Sequence, residues 1–486
     1  MAWFLPIFLG VFSTPIIVRG LGTEEYGVYA IILGFLSYSF TFGVGRVAVK
    51  YVAEFKASGN DEGISQAVSA ALLFSIAVGL IGAVALSFFT PWIVGKFLIL
   101  PEPIRAEAEV GLYLASFAGV VVMISQVFQS CLQGIHRFGT YALISNLNAV
   151  LLSVGVIVLA MNGSGMVDLV AWNLFSVVVT GVLFFVAAIR AMPGFRPTIK
   201  IGSDLRKATL KYGGNIILYQ LFGNCLFIFE RSWIVRNFNP ETLTFYVVPM
   251  LIGIYLHGLV SSFSLVIFPR INELLDDRER LIQLYERSNR IIVAIVIMIV
   301  ATLAACGRSF LAVWVGPEFE ASSYWLLGIH SVTFGLIAIF IIPWGIAEAF
   351  HAASINVAIT LTWLIIGVGL LFIFGTSIGI EGVALARLAS VVLTLPVILY
   401  IENRFLGRTL FSAWLTAVLK IIPASILMYL AQSFVLKYLG ASWAALVIAI
   451  LLGLIIYSTV LYFIGFLARS EITEFTEIWF RRSSKV

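Results

Sequence analysis

The sequence predicts an all-α protein that crosses a membrane about fourteen times, and three observations predict this fold class. Of its 486 residues, 61% are hydrophobic and only 11% are charged. The apolar residues fall in runs long enough to cross a bilayer, for which a helix needs about 20 residues. A soluble chain carries about 25% charged residues, so the shortage of charge excludes a large soluble core.

The predicted spans follow one another with short connections. Pro423 interrupts the thirteenth span, and Arg46 falls in the second. The first span lacks the basic segment and the small-residue cleavage site of a signal peptide, so we expect it to cross the membrane. The segments are 1–18, 28–49, 66–90, 109–131, 141–161, 167–189, 213–235, 246–268, 291–313, 324–346, 353–375, 381–401, 413–435 and 441–467.

Lysine and arginine residues divide unequally between alternate loops. One set of loops carries 20 of the 30 cationic residues and the other set carries 6. Loops rich in lysine and arginine stay in the cytoplasm, so we predict that the first set and both termini are cytoplasmic. The six residues on the opposite side are Arg19, Lys96, Arg105, Arg236, Arg308 and Lys437.

A short internal repeat relates two parts of the chain. Residues 17–29 and 234–246 match at five of thirteen positions, at an offset of 234 − 17 = 217. Six predicted spans separate them, so both copies would have the same orientation, as parallel repeats do. The alternative is that a short turn recurs by chance. The repeat predicts an N-terminal six-helix bundle at 1–190, a cytoplasmic linker at 191–212, a second six-helix bundle at 213–408, and two additional helices with a cytoplasmic tail at 409–486.

Two segments outside the spans have the spacing of amphipathic helices at a membrane surface. One precedes the ninth span and the other belongs to the C-terminal tail. Their apolar residues are Leu274, Leu275, Leu281, Ile282 and Tyr285 in the first, and Ile472, Phe475 and Trp479 in the second.

The sequence lacks the motifs of common catalytic and cofactor sites. It has no G-x-x-x-x-G-K-[ST] loop, no H-E-x-x-H and no G-x-S-x-G, so it gives no sign of ATP hydrolysis, metalloprotease or hydrolase chemistry. Four histidines are scattered, and the three cysteines, Cys131, Cys225 and Cys306, lie in apolar stretches. We predict no enzyme, no metal, no cofactor and no nucleic-acid partner.

Ionisable residues inside spans are costly in lipid and usually face a bundle interior or a wet cavity. Each of them could instead have a purely structural role. The arginines could extend to the membrane surface, and His257 could be a neutral buried histidine. Glu230 and Arg231 are neighbours and point about 100° apart on a helix. The set consists of Arg46, Glu230, Arg231, His257, His330, Glu348, Arg387 and Lys420.

Several of these residues suit recognition of an anionic head group. Arg46, Arg231 and Arg387 would supply positive charge to a pyrophosphate, for which the planar guanidinium is well shaped. Asn224 belongs to a polar stripe with Asn215 and Gln220 that could face a cavity or join helices. Glu230 or His257 would bind a coupling ion.

Five motifs carry a resemblance to a known family. They are R-x-L-G-x-x-x-Y-G at 19–27, Lys-Tyr-Val-Ala-Glu at 50–54, Q-G-x-x-R-F at 133–138, F-P-x-x-x-E-L at 268–274 and G-x-x-G-x-A at 379–384. In this order the motifs resemble those of the polysaccharide biosynthesis (O-antigen flippase) family of the MOP exporter superfamily. The family's second motif begins with arginine, and this chain has Lys50 there.

The resemblance implies two six-helix bundles arranged as a V around a central cavity, lined by spans one, two, seven and eight. It therefore favours Arg46, Glu230, Arg231 and His257 over Arg387 as cavity residues. It also implies alternating access driven by an ion gradient in the plasma (inner) membrane.

The function implied is movement of an undecaprenyl-pyrophosphate-linked oligosaccharide from the inner to the outer leaflet, for O-antigen, lipopolysaccharide or other surface polysaccharide. Candidate partners are the lipid-linked saccharide, membrane lipids, and the polymerase and glycosyltransferases of polysaccharide synthesis. Alternatives are an ion-coupled multidrug/cation antiporter of the same superfamily and a lipid II flippase. A membrane polymerase or ligase would need a large outer loop, which the span pattern excludes.

Overall fold

The structure, a computed structural model, describes residues 4–39 and 45–466, and all the regular elements within these ranges are helical. Two π-helical turns, Ile93–Phe97 and Glu402–Leu406, extend helices α3 and α14. The α-helices are α1 Phe4–Ser39, α2 Gly45–Ala57, α3 Asp61–Trp92, α4 Glu102–Gly134, α5 Phe138–Met161, α6 Met166–Ala191, α7 Ser203–Asn237, α8 Pro240–Glu273, α9 Arg278–Trp314, α10 Pro317–Ile339, α11 Ile341–Ala349, α12 Ala353–Ile378, α13 Ile380–Thr394, α14 Pro396–Ile401, α15 Phe411–Leu439 and α16 Trp443–Phe463.

The helices confirm the predicted all-α membrane fold. Within the described ranges, twelve helical segments are long and apolar enough to cross a bilayer. One of them, Leu5–Ser37 within α1, covers nearly all of the first predicted span and the first part of the second. Helix α7 matches the seventh predicted span without being one of the twelve. The chain is therefore a multi-pass membrane protein, and its helices agree with about fourteen crossings.

A sharp break divides α1 at the point between the first two predicted spans. Gly22 has φ 78° and ψ 167°, which is outside the helical region, so two helices meet there. A left-handed φ is readily adopted by glycine because it has no Cβ. The second predicted span continues through the end of α1 into α2, and residues 40–44 lie outside the described ranges.

Several helices begin at residues whose side chains satisfy free backbone N–H groups. Asn60 accepts a hydrogen bond from the Gly63 N–H at the start of α3, and Asp277 does the same for Arg280 at the start of α9. Such capping stabilises a helix by about 1 kcal/mol.

The predicted amphipathic helix before the ninth span forms only in part. Leu274 and Leu275 lie in the turn between α8 and α9. Leu281, Ile282 and Tyr285 lie in α9, which continues without interruption to Trp314, and all three side chains are buried. Their apolar face therefore packs inside the protein. The second predicted amphipathic helix, with Ile472, Phe475 and Trp479, lies outside the described residues.

The chain forms two compact units. The first contains the chain up to Leu251 together with His351–Thr394, and the second contains Ile252–Phe350 together with the chain from Leu395. The predicted division into bundles at 1–190 and 213–408, joined by a linker at 191–212 and followed by 409–486, stays a prediction.

Within the first unit, the two copies of the predicted repeat contact each other reciprocally. A Cβ added at Gly27 of α1 would overlap the carbonyl of Pro240 at the start of α8. The Thr244 hydroxyl donates a hydrogen bond to the Thr23 carbonyl at 2.5 Å. At the offset of 217, Gly27 corresponds to Thr244 and Thr23 corresponds to Pro240. Each contact is thus the counterpart of the other, which supports the repeat.

Substituting Gly27 with alanine is expected to destabilise the protein by about 1–3 kcal/mol, the usual effect of overpacking. The atoms in the way belong to the Pro240 backbone, so α1 and α8 must move apart. Thermal unfolding of the purified protein in detergent measures the effect. Gly369→Ala in α12 is the matched control, because nothing lies within 4 Å of its added Cβ and alanine favours a helix interior. Equal melting temperatures for the two variants would contradict the prediction.

Candidate functional site

An ion pair between Glu230 and Arg387 lies at the centre of the candidate site in the first unit. Glu230 is near the end of α7 and Arg387 is in the middle of α13, and their side chains are 1% and 2% exposed. The Arg387 Nη2 atom lies 2.6 Å from Glu230 Oε2, and Nε lies 2.9 Å from Oε1. This two-pronged geometry is the strong form of an arginine–carboxylate pair.

Two aromatic residues complete the surroundings of the pair. Tyr246, at the beginning of α8, donates its hydroxyl to Glu230 Oε2 at 3.0 Å and is fully buried. The ring of Phe227 lies one turn before Glu230 on α7, with its centroid 3.7 Å from Arg387 Cζ. A guanidinium over an aromatic face gains a cation–π interaction. The pair is therefore held by contacts from three helices, α7, α8 and α13.

Arg231 points to a different neighbour. Its Nη1 atom donates a hydrogen bond of 2.6 Å to the Ala30 carbonyl of α1, and Gly34 of the same helix leaves room for the guanidinium. The Arg231 side chain is 4% exposed. The separate partners of Glu230 and Arg231 agree with the divergence of about 100° expected for neighbours on a helix.

The charges in this cluster do not cancel. Arg231 and Arg387 carry two positive charges and Glu230 carries one negative charge, so the formal sum of the three side chains is +1. All three are nearly inaccessible in this conformation. Buried charge is costly unless it is paired and hydrogen-bonded, and the described contacts of these three side chains supply such partners.

The structure places the other predicted site residues as follows. Asn224 is half-buried on α7, seven residues before Arg231 and therefore on the same face of that helix. His257 belongs to α8 in the second unit, where the Ser261 hydroxyl lies 3.4 Å from its Nε2 atom. Arg46 belongs to α2, and its side chain is outside the described residues. The substrate and ion roles predicted for Arg46, Arg231, Arg387, Asn224, Glu230 and His257 stay predictions.

The remaining ionisable residues of the predicted set lie in the second unit. Glu348 accepts a hydrogen bond of 3.0 Å from the Trp344 indole N–H, four residues earlier. His330 is fully buried in α10. Lys420 is exposed on α15, as expected for a cation that extends its amine to the edge of the membrane.

Sequence reasoning did not assign a site role to Tyr246 or Phe227. One signal for Tyr246 was present, because it is the repeat counterpart of Tyr29 at the offset of 217. Phe227 gave no signal, since phenylalanine is common in spans. Its role here is a cation–π contact with Arg387, which belongs to a helix distant in the sequence.

The family model described as "Polysaccharide biosynthesis protein" matches residues 16–324. The chain belongs to this family. A protein of Shigella flexneri named as a candidate O-antigen transporter is 20% identical to this family member over 415 residues, which are 82% of this chain and 95% of the other.

Solved structures of the MOP superfamily share the fold of this family member. The lipid II flippase MurJ in an inward closed conformation has a TM-score of 0.73 at 15% identity, covering 94% of this chain and 96% of that one. An inward-facing multidrug resistance MATE family transporter has a TM-score of 0.67 at 16% identity, covering 82% and 94%. These structural neighbours are a flippase and a transporter, and they share with this chain the fold of a multi-pass membrane protein.

Proposed function

We propose that this family member is a transporter that moves an undecaprenyl-pyrophosphate-linked oligosaccharide from the inner to the outer leaflet by alternating access. Membership in the polysaccharide biosynthesis family supports a polysaccharide precursor as the substrate. The fold shared with a lipid II flippase over 94% of this chain supports a mechanism in which a lipid-linked head group crosses inside the protein while its tail remains in the bilayer.

The observation that carries this proposal is the presence of two buried arginines, Arg231 on α7 and Arg387 on α13, in the same unit. A pyrophosphate would accept the forked hydrogen bonds that arginine donates. The two arginines disfavour the alternative of a multidrug/cation antiporter, whose cationic substrate would meet like charge.

The Glu230–Arg387 pair also suggests how transport is coupled to an ion gradient. A proton or metal cation that binds Glu230 would compete with Arg387 for the carboxylate. Arg387 would then be released toward the anionic head group, which links ion binding to substrate binding. Asn224, on the Arg231 face of α7, would contribute hydrogen bonds to the saccharide, and Arg46 and His257 remain further candidates for substrate and ion contacts.

The proposed location is the plasma (inner) membrane, with both termini in the cytoplasm. The distribution of 20 cationic residues in one set of loops and 6 in the other supports this orientation. The proposed partners are the polymerase and glycosyltransferases that act on the same lipid-linked saccharide.

Complementation of a host that lacks its own polysaccharide flippase tests the proposal. The lipid-linked saccharide is followed by leaflet, and the wild-type protein is expected to restore surface polysaccharide. Arg231→Gln is expected to reduce transport at least about tenfold, the effect of losing about 1.4 kcal/mol of a charge-assisted contact.

Arg236→Gln is the matched control, because Arg236 lies five residues later on α7, is exposed, and contacts only the Lys96 and Phe97 carbonyls at 3.3 and 3.4 Å among its described hydrogen bonds. Equal transport by the two variants at equal membrane levels would remove Arg231 from the site. Failure of the folded wild-type protein across several saccharide backgrounds would overturn the proposed substrate.

A further inference from the structure

A cavity of about 700 Å³ lies in the second unit, and its described lining shares no residue with the cluster on α7 and α13. Its walls are the first half of α9, the first half of α15 and Phe466 at the end of the described chain. None of the residues assigned above to substrate or ion binding lines it.

Positive charge dominates the walls of this cavity. Among the described lining residues, four are cationic, Arg280, Arg287 and Arg290 from α9 and Lys420 from α15, and one, Glu286, is acidic. Arg280 is 3.3 Å from Asp277, and Glu286 is 3.7 Å from Arg408, a further cation outside the described lining. The described lining therefore favours an anion over a cation.

A buried amide also lines the cavity. Asn289 is 3% exposed, and its amide interacts with the Tyr285 hydroxyl. Within the described part of the chain, neither its Oδ1 nor its Nδ2 atom makes a hydrogen bond of ordinary geometry. Since an amide has two donor hydrogens and an acceptor oxygen, Asn289 retains hydrogen-bonding capacity for a ligand in the cavity.

The wall of the cavity is held rigidly by a second buried carboxylate. Glu402, which is fully buried, accepts hydrogen bonds from the Tyr285 hydroxyl at 3.0 Å, the Leu410 N–H at 2.7 Å and the Trp414 indole at 2.6 Å. All three donors line the cavity. A wall fixed in this way is preorganised, which lowers the entropic penalty of binding.

Lys420 of the cavity wall is exposed on α15, and so are the apolar side chains of Leu419 and Ile422 on either side of it in the sequence. Trp414, Ala417 and Phe466 add apolar surface to the cationic walls. This mixture suits a ligand with a charged head and an apolar body, and basic pockets between membrane helices commonly bind anionic lipid head groups.

We propose that this cavity binds the phosphoryl group of an anionic phospholipid, with Arg287, Arg290 and Lys420 contacting the phosphate and Asn289 hydrogen-bonding the head group. The site is separate from the proposed transport site, and its lipid would be a resident ligand that is not transported. Its existence does not depend on the identity of the saccharide.

Lipid retention by the full-length protein, delipidated in an uncharged detergent, tests this inference. Phosphatidylglycerol and phosphatidylcholine are titrated separately, and bound lipid is counted by native mass spectrometry. We expect phosphatidylglycerol to bind several-fold more tightly. Lys420→Gln is expected to weaken its binding about fivefold, the effect of one cation near a lipid head group. Lys437→Gln, at the other end of the same helix and exposed, is the matched control and should bind as the wild type does.

A second variant separates recognition from folding. Asn289→Leu removes the amide while keeping a side chain of similar shape, and Tyr285 keeps its hydrogen bond to Glu402. Its melting temperature should therefore stay close to that of the wild type, while its affinity for phosphatidylglycerol should fall. Competition by inorganic phosphate at millimolar concentration would support phosphoryl recognition. Binding of inorganic phosphate together with no binding of phosphatidylglycerol would assign the site to a free phosphate and overturn the lipid proposal. Equal retention of the two lipids, or equal affinities for the Lys420→Gln and Lys437→Gln proteins, would overturn the proposal.

Discussion

Replacing Arg387 with alanine is expected to lower the free energy of unfolding by about 3–5 kcal/mol, because Glu230 would remain buried without its cation. The Glu230 carboxylate is 1% exposed and keeps only the Tyr246 hydroxyl as a described side-chain partner in this variant. Thermal or denaturant unfolding in detergent measures the loss. Arg105→Ala is the comparison, since Arg105 forms exposed pairs with Glu102 and Glu109 that contribute less than about 1 kcal/mol.

A double variant separates the loss of the pair from the exposure of an unpaired charge. In Glu230→Gln with Arg387→Met, the glutamine oxygen can still accept from Tyr246, and neither residue of the former pair carries a charge. Most of the lost stability should return, because a buried ion pair replaced by neutral groups of similar size is often nearly neutral. Transport should remain low in the double variant, since the charges are absent. A destabilisation of Arg387→Ala no larger than that of Arg105→Ala would contradict the assignment of a buried pair.

The second large effect is expected at Glu402. Glu402→Ala leaves three buried donors, the Tyr285 hydroxyl, the Leu410 N–H and the Trp414 indole, without their acceptor. Since each unsatisfied buried donor costs about 1–3 kcal/mol, the total should reach about 3 kcal/mol or more. The cavity on α9 and α15 should lose its lipid as well, because all three donors belong to its wall.

The loss of stability in Glu402→Gln is expected to lie between zero and that of Glu402→Ala. The glutamine oxygen can accept from Tyr285 and Trp414, but its amide group would face the Leu410 N–H, so about 1–3 kcal/mol should be lost. Glu273→Ala is the control, because Glu273 is exposed and pairs only with the exposed Arg270 among the described ion pairs. Glu402→Ala with the stability of Glu273→Ala would show that the three hydrogen bonds contribute little.

The sequence was sufficient to predict the membrane fold because composition and the lengths of apolar runs depend only on local chemistry. The sequence also identified Glu230 and Arg231 as candidate site residues, because both are charged and lie inside a predicted span. The pairing of Glu230 with Arg387 was not predictable in this way, since the two residues are 157 positions apart. Their contact depends on how α7 packs against the helices that follow α12, which hydrophobic periodicity does not encode.

Glu402 was overlooked for a related reason. It follows the predicted end of the twelfth span at 401, where an acidic residue is expected to reach water. In the structure, a π-helical turn at Glu402–Leu406 turns the carboxylate inward to Tyr285 and Trp414 instead. His257 was grouped with Glu230 by its intramembrane position alone, and the two residues belong to different compact units.

The reciprocal contact of Gly27 with Pro240 and of Thr23 with Thr244 has the arrangement of an isologous interface, the kind by which two identical subunits form a twofold dimer. In such a dimer, one substitution would alter both halves of the interface at once. In a single chain, each half can change separately, and here one half is a close backbone packing while the other is a hydrogen bond. Because the two repeats belong to one polypeptide, the Gly27–Pro240 contact and the Thr23–Thr244 contact can differ in how much each stabilises the protein.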